Sequence, residues 1–298
     1  MTQMTRRSAL IGLGSVATLP LMSRLSLAST TPDWTALRGG EDDFFRAPVI
    51  LTGQKEAILI DGSFTYAGGE AVVAALKASG KELTTIYVSV NDPDYYFSLK
   101  PIVAAYPDAR VIAASDTVAL IRQKAQAKLE AWGPVLGQNG PQTMNDLTFP
   151  QIDDSATLTL EGAQIQIVTS ATMADRRYLY VPSLDAVLGG VYVFDDLHVW
   201  TADTPTPGDR AKWIAELDAL IARNPDVVVA GHGAHPGNSG IPALEFTRDY
   251  LRNFEREVAR AKDSAELIAA MTALYPDLGM MPALDIGARV AMGEMTWG

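Results

Sequence analysis

The 298-residue chain contains no cysteine. That excludes disulfides, thiolate metal ligands, cysteine nucleophiles and lipid anchors attached to cysteine. Histidine is nearly as scarce: only His198, His232 and His235 occur, so a site built from many imidazoles is excluded too. Basic residues are the minority, 24 against 35 acidic, for a net charge of −11. Residues 1–28 hold Arg6, Arg7 and Arg24 and no acid, which leaves 21 against 35, or −14, for the remainder. So acidic a surface repels phosphate backbones and anionic membranes, and no nucleic-acid partner is expected. The Gly-x-Ser-x-Gly elbow, the Ser-x-x-Lys pair and the Gly-x-x-x-x-Gly-Lys phosphate loop are all missing. The apolar run from Ala9 to Met22 falls short of the ~20 residues needed to span a bilayer.

That run has another reading. It follows Thr5-Arg6-Arg7 and precedes the small-residue site Ser26-Leu27-Ala28, the arrangement of a secretory signal. The paired arginines resemble a twin-arginine signal, although Ala9 departs from its usual pattern and leaves the Sec route open. Residues 1–28 are therefore expected to be an export signal and 29–298 a single domain, periplasmic or secreted, with no stable membrane anchor after cleavage. Gly12-Leu13-Gly14 lies inside the signal, with no strand before it, and is not a nucleotide loop.

In the remainder, Ala47–Leu51 and Ala57–Ile60 flank a turn at Gly53-Gln54-Lys55 and predict a hairpin. Helical spacing covers Ala67–Ser79, Phe97–Ala105, Ser115–Trp132, Arg210–Ala222, Ile241–Ala261 and Ser264–Leu274. Strands are expected at Thr84–Val90, Arg110–Ala113, Thr157–Leu160, Gln164–Thr169, Tyr178–Val181, Ala186–Leu188 and Asp226–Ala230. The Gly-, Pro- and Asn-rich stretch 133–154 reads as loop, and Glu41-Asp42-Asp43 as a solvated charge run. Strands alternate with helices in both halves around a meander, an α/β pattern of two sheets covered by helices.

Ala57-Ile58-Leu59-Ile60-Asp61-Gly62, then Ile86-Tyr87-Val88-Ser89, Asp92-Pro93-Asp94-Tyr95, Leu188-Gly189-Gly190 and Ala230-Gly231-His232-Gly233 together resemble the metallo-β-lactamase-fold hydrolases. The resemblance implies an αββα sandwich of two mixed sheets flanked by helices. It also implies a strand ending in Thr-His-x-His-x-Asp-His, whose side chains hold one or two zinc ions that acidify a bound water. Here that run is Ser89-Val90-Asn91-Asp92-Pro93-Asp94-Tyr95, and only Asp94 matches; the bridging aspartate expected after Gly189 is Gly190. Asp94 and His232 remain, with Asp92 as a substitute, so an ordinary dinuclear zinc site is excluded.

Two site chemistries stay open. Asp92, Asp94 and His232 form a candidate set for one divalent ion, harder than zinc given the oxygen ligands. Alternatively, Asp94 orients His232 as a metal-free general base while Tyr95 or Tyr96 polarises a carbonyl. The bland readings are turn aspartates bonding nearby backbone and tyrosines packed in the core. His198, Trp200 and Asp203 are candidates for lining the substrate pocket, with a surface or capping role as their alternative; His235, beside Pro236-Gly237, belongs to a loop. The expected function is hydrolysis of a small lactone, ester or amide. The alternative is a non-catalytic protein that binds a small molecule.

Overall fold

A computed structural model describes residues 31–173, 175–235 and 237–297; the expected export signal lies outside them. Six strands form the first sheet in sequence order: β1 (Asp33–Ala36), β2 (Val49–Thr52), β3 (Glu56–Ile60), β4 (Glu82–Tyr87), β5 (Arg110–Ala113) and β6 (Gln151–Ile152). The first three pair antiparallel, and β3 through β6 run parallel. The second sheet is an antiparallel meander of β7 (Thr157–Leu160), β8 (Ala163–Thr169), β9 (Arg177–Val181) and β10 (Ala186–Leu188), with a short β12 (Val227–Val228) added parallel to β10. A two-residue pair, β11 (Phe194–Asp195) and β13 (His232–Gly233), sits apart from both.

Side chains alternate across a strand, so a strand buried on both faces supplies two cores at once. Ile58 and Ile60 point between the sheets with Val49, Leu51, Leu179 and Leu188. Their neighbours Ala57 and Leu59 face outward into the larger core beneath the helices. Each such aliphatic side chain taken from water contributes about 1.5–3 kcal/mol, and this double use holds the two layers in register.

The helices are α1 (Tyr66–Ser79), α2 (Leu99–Ala105), α3 (Ser115–Leu136), α4 (Pro207–Arg223), α5 (Gly240–Val258), α6 (Ser264–Leu274) and α7 (Met281–Ala291). The Thr65 hydroxyl caps α1 by accepting from Gly68 N, and the helix stops at Gly80 with φ +66°, a left-handed turn that glycine takes without strain. α4 opens on a Thr206–Asp209 capping box with Pro207 in its first turn and ends at Asn224. No helix among the described residues is long and apolar enough to cross a membrane.

Three expectations change. α3 passes through Pro134 to Leu136, so the expected loop at 133 begins later, and it contains β6. The expected strand Asp226–Ala230 shrinks to Val227–Val228, with Val229 N still donating to Val187 O at 3.0 Å. Asp43 is buried rather than solvated: its Oδ1 accepts from Phe64 N (2.8 Å) and Thr65 N (2.7 Å).

Candidate functional site

The site forms where three remote segments meet. The chain leaving β4 turns through Asp92-Pro93-Asp94-Tyr95, β13 brings His232, and Arg46 bridges antiparallel to His232 just before β2. Gly231 makes this approach feasible, since a Cβ there would lie 2.2 Å from Gly190 O.

His232 is oriented from behind. Its Nδ1 lies 2.7 Å from Phe44 O, and a carbonyl only accepts, so Nδ1 carries the proton and Nε2 is bare. The ring stacks on Phe194, centroids 5.0 Å apart. Nε2 faces Asp94 Oδ2 at 3.3 Å and the Tyr95 hydroxyl at 3.5 Å.

Arg46 is wholly buried beside this pair. Its Nε donates to Asp94 O (3.1 Å) and stands 3.7 Å from Asp94 Oδ2, while Nη1 donates to Gly231 O. Nη2 lies 3.9 Å from Asp61 Oδ2, and the guanidinium covers the Tyr95 ring at 3.5 Å. Burial pushes the Asp94 carboxyl up to about 7, against the pull of Arg46 and with help from Asp92. Burial, then the Arg46 charge, lowers His232 to about 3, opposed by the Phe44 carbonyl. At neutral pH the imidazole is therefore uncharged, and the Asp94 carboxyl is partly protonated. Of the two, Asp94 is the group whose titration falls near neutrality.

The pair opens into a narrow cleft lined also by Phe44, Asp92, Lys128, Trp132, Trp200 and Trp297. Asp92 does not turn toward His232; Lys128 Nζ and Arg176 Nη1 flank it, each at 3.7 Å, and it makes no capping bond. Burial, then Asp203, raises its pKa. Trp200 lines the cleft and donates from Nε1 to Asp203 Oδ2 at 2.7 Å.

Other candidates are placed elsewhere. The Tyr95 hydroxyl donates to Gly190 O at 3.1 Å, and the residue is fully buried, so it braces the pair without reaching a substrate. Tyr96 packs edge-on against Phe97 in the core. His198 lies in the core with Nδ1 3.0 Å from the Tyr250 hydroxyl and is not among the cleft-lining residues. His235 pairs with Asp196 at the surface. Sequence reasoning missed Arg46, Lys128 and Arg176.

The chain superposes on solved structures of known proteins. A metallo-β-lactamase family protein from Thermus thermophilus superposes with a TM-score of 0.58 at 17% identity, covering 89% of this chain and 92% of that one. This chain has the metallo-β-lactamase fold. A metallo-β-lactamase from Pontibacter korlensis gives 0.50 at 20% identity, covering 70% and 87%. No protein-family model matches the sequence, and no curated protein matches it.

The metallo-β-lactamase fold implies zinc, and the donors present do not fit it. Among the described residues no three His, Cys, Asp or Glu side chains converge as ligands; Asp94 and His232 meet, and Asp92 is turned to Lys128 and Arg176. At Gly190, where the bridging aspartate was expected, φ is +72° and a Cβ would stand 2.1 Å from Arg177 O, so no side chain is admitted. Arg46 adds a fixed charge beside Asp94. That charge repels a dication brought to the Asp94 carboxylate. The Asp92, Asp94 and His232 ligand set is thus not assembled.

Proposed function

We propose that this protein is a hydrolase of small activated carbonyl compounds, lactones, esters or amides, working with Asp94 and His232 as an acid–base pair. The observation that carries the reading is the 3.3 Å contact between Asp94 Oδ2 and the bare Nε2 of a neutral His232 at a cleft. A carboxyl with a pKa near 7 is matched to proton transfer at neutral pH. Ionised Asp94 takes a proton from water as the water oxygen bonds to the carbonyl carbon. The bond to the leaving oxygen or nitrogen then breaks, and that atom takes the proton from Asp94. His232 Nε2 stands 3.3 Å from Asp94 Oδ2 and faces the carboxyl with a bare nitrogen. Hydrolase activity in proteins of this fold supports the reaction class as analogy.

We further propose that the mature chain works in the periplasm, a reading supported by the residue 5–28 pattern. Amino-terminal sequencing of the periplasmic fraction, expected to begin near Ser29, tests it. For the activity, a panel of aryl esters and lactones is assayed with the wild type, Asp94→Asn and His232→Gln. Turnover lost in both variants, with melting temperature retained, supports the pair. No turnover above the variants in the wild type overturns it and leaves the small-molecule binding protein.

A further inference from the structure

The proton on His232 Nδ1 is held by Phe44 O at 2.7 Å, so whatever aims that carbonyl decides which ring nitrogen is left bare. Phe44 sits in an uncommon turn. Its φ and ψ are +49° and +32°, and Phe45 follows at φ +53°. Two successive non-glycine residues in the left-handed region are strained, and such a turn persists only where its surroundings hold it. The antiparallel bridge between Arg46 and His232, with Gly233 N donating to Phe45 O at 3.0 Å, sets the register of the two segments. That bridge begins after Phe44. The direction of the Phe44 carbonyl is set by the left-handed turn itself.

Asp43 is the side chain that clamps this turn. It is 2% exposed, and its Oδ1 accepts from Phe64 N at 2.8 Å and Thr65 N at 2.7 Å, which ties the turn to the start of α1. The backbone closes around it: Asp43 N and Phe45 N both donate to Gly40 O, at 3.1 and 2.8 Å, and Arg46 N donates to Asp43 O at 3.1 Å. Oδ2 is buried with no partner among the described residues and is pressed between two glycines. A Cβ at Gly39 would lie 2.4 Å from it, and one at Gly68 2.6 Å. Neither glycine is left-handed, so room for the Asp43 carboxylate, not backbone freedom, is what calls for glycine there. Burying a carboxylate this completely is costly, and the proposed proton transfer does not use it.

We propose that Asp43 is a positioning residue for His232: by fixing the left-handed turn at Phe44 it holds the Phe44 carbonyl against Nδ1 and so leaves Nε2 bare toward Asp94. Without the clamp the strained turn relaxes, the carbonyl leaves Nδ1, and the ring proton divides between the two nitrogens. A ring protonated on Nε2 presents a donor to Asp94 Oδ2 in place of a bare nitrogen. Only the effect on turnover rests on the hydrolase reading. The tautomer of His232 is read without a substrate, and with three histidines in the chain its signals are assigned by their loss in His232→Gln.

Long-range proton–nitrogen NMR of the histidine rings at pH 7, on the purified full chain, tests this in the wild type, Asp43→Asn, Asp43→Ala and Gly39→Ala. The wild type and Asp43→Asn, whose Oδ1 still accepts, are expected to show a protonated Nδ1 and a bare Nε2. In Gly39→Ala the added Cβ displaces the Asp43 carboxylate without removing it, since its three nearest neighbours are all atoms of Asp43. There and in Asp43→Ala the two nitrogen shifts are expected to converge. On the best ester of the panel kcat should fall about 10²-fold with KM little changed. Near-UV circular dichroism checks folding, and where Asp43→Ala does not fold, Gly39→Ala decides. Mixed tautomers in the wild type, an unchanged Nδ1 proton in the folded variants, or an Asp43→Asn that behaves as Asp43→Ala overturns the proposal. Converged shifts in the variants with no ester turnover in the wild type overturn the hydrolase reading alone and leave the role of Asp43 standing.

Discussion

Two buried histidines of this protein meet nearly the same environment and come to different ends. His232 and His198 are 3% and 0% exposed, and burial lowers their pKa values to about 3 and about 4. Both are neutral at pH 7. His198 spends Nδ1 on the Tyr250 hydroxyl, and its Nε2 has no partner among the described residues. His232 spends Nδ1 on a backbone carbonyl and turns Nε2 to a carboxyl that is itself shifted to about 7. A depressed histidine is therefore no sign of chemistry by itself. A second group titrating near neutrality and an opening to a cleft are what distinguish His232.

Substitutions break the comparison most sharply. Asp94→Asn and His232→Gln are expected to lower kcat/KM by about 10²–10⁴, measured on the best substrate of the ester panel, with little change in melting temperature. Arg46→Met should be the most damaging to stability, about 3–5 kcal/mol by urea unfolding, because it strands the buried carboxylates of Asp61 and Asp94. His198→Phe removes the imidazole partner of the Tyr250 hydroxyl and should cost about 1 kcal/mol while kcat/KM stays near wild type. An activity loss as large as that of His232→Gln would erase the distinction between the two histidines.

Titration sharpens it further. The base form of Asp94 predicts kcat/KM that rises with pH through about 7 and then levels. Stability follows the opposite sign. The folded state holds the Asp94 proton between the unfolded value of 3.8 and about 7, so this residue's contribution declines as pH rises across that window. The melting temperature of Asp94→Asn relative to wild type should therefore climb from pH 4 to pH 8. His232, lowered from 6.5 to about 3, works the other way, and its contribution grows from pH 3 to 6.5. The smallest expected effect is that of zinc: added Zn²⁺ should leave the melting temperature unchanged, where a filled site would raise it.

The sandwich was legible because its strands are apolar on both faces and its helices carry caps: Ala57–Ile60 and the Ser79-Gly80 stop appear in the structure where the residues place them. β1 and α7 were not read, one being four residues at a sheet edge and the other following the turn-forming segment Pro276-Asp277-Leu278-Gly279. Of the site, Asp94 and His232 were legible through their motif positions. Arg46 was not, since its partners Asp61, Asp94 and Gly231 lie up to 185 residues away and a buried arginine looks locally like a surface one. The only local hint was a single charge wedged between Phe44-Phe45 and an apolar strand. His198 was misplaced for the same reason in reverse, its polar tip giving no sign that the core would enclose it, whereas Tyr96 took the core-packing alternative.

The measurement that bears most directly on the Asp94–His232 pair is its titration by NMR, following the His232 ring nitrogens and the Asp94 side-chain carbon from pH 4.5 to 8.5 in the wild type. The account predicts a neutral His232 with the proton fixed on Nδ1 throughout and an Asp94 carboxyl titrating near 7. An imidazole that titrates near 6.5 beside an Asp94 already ionised at pH 4.5 would contradict it.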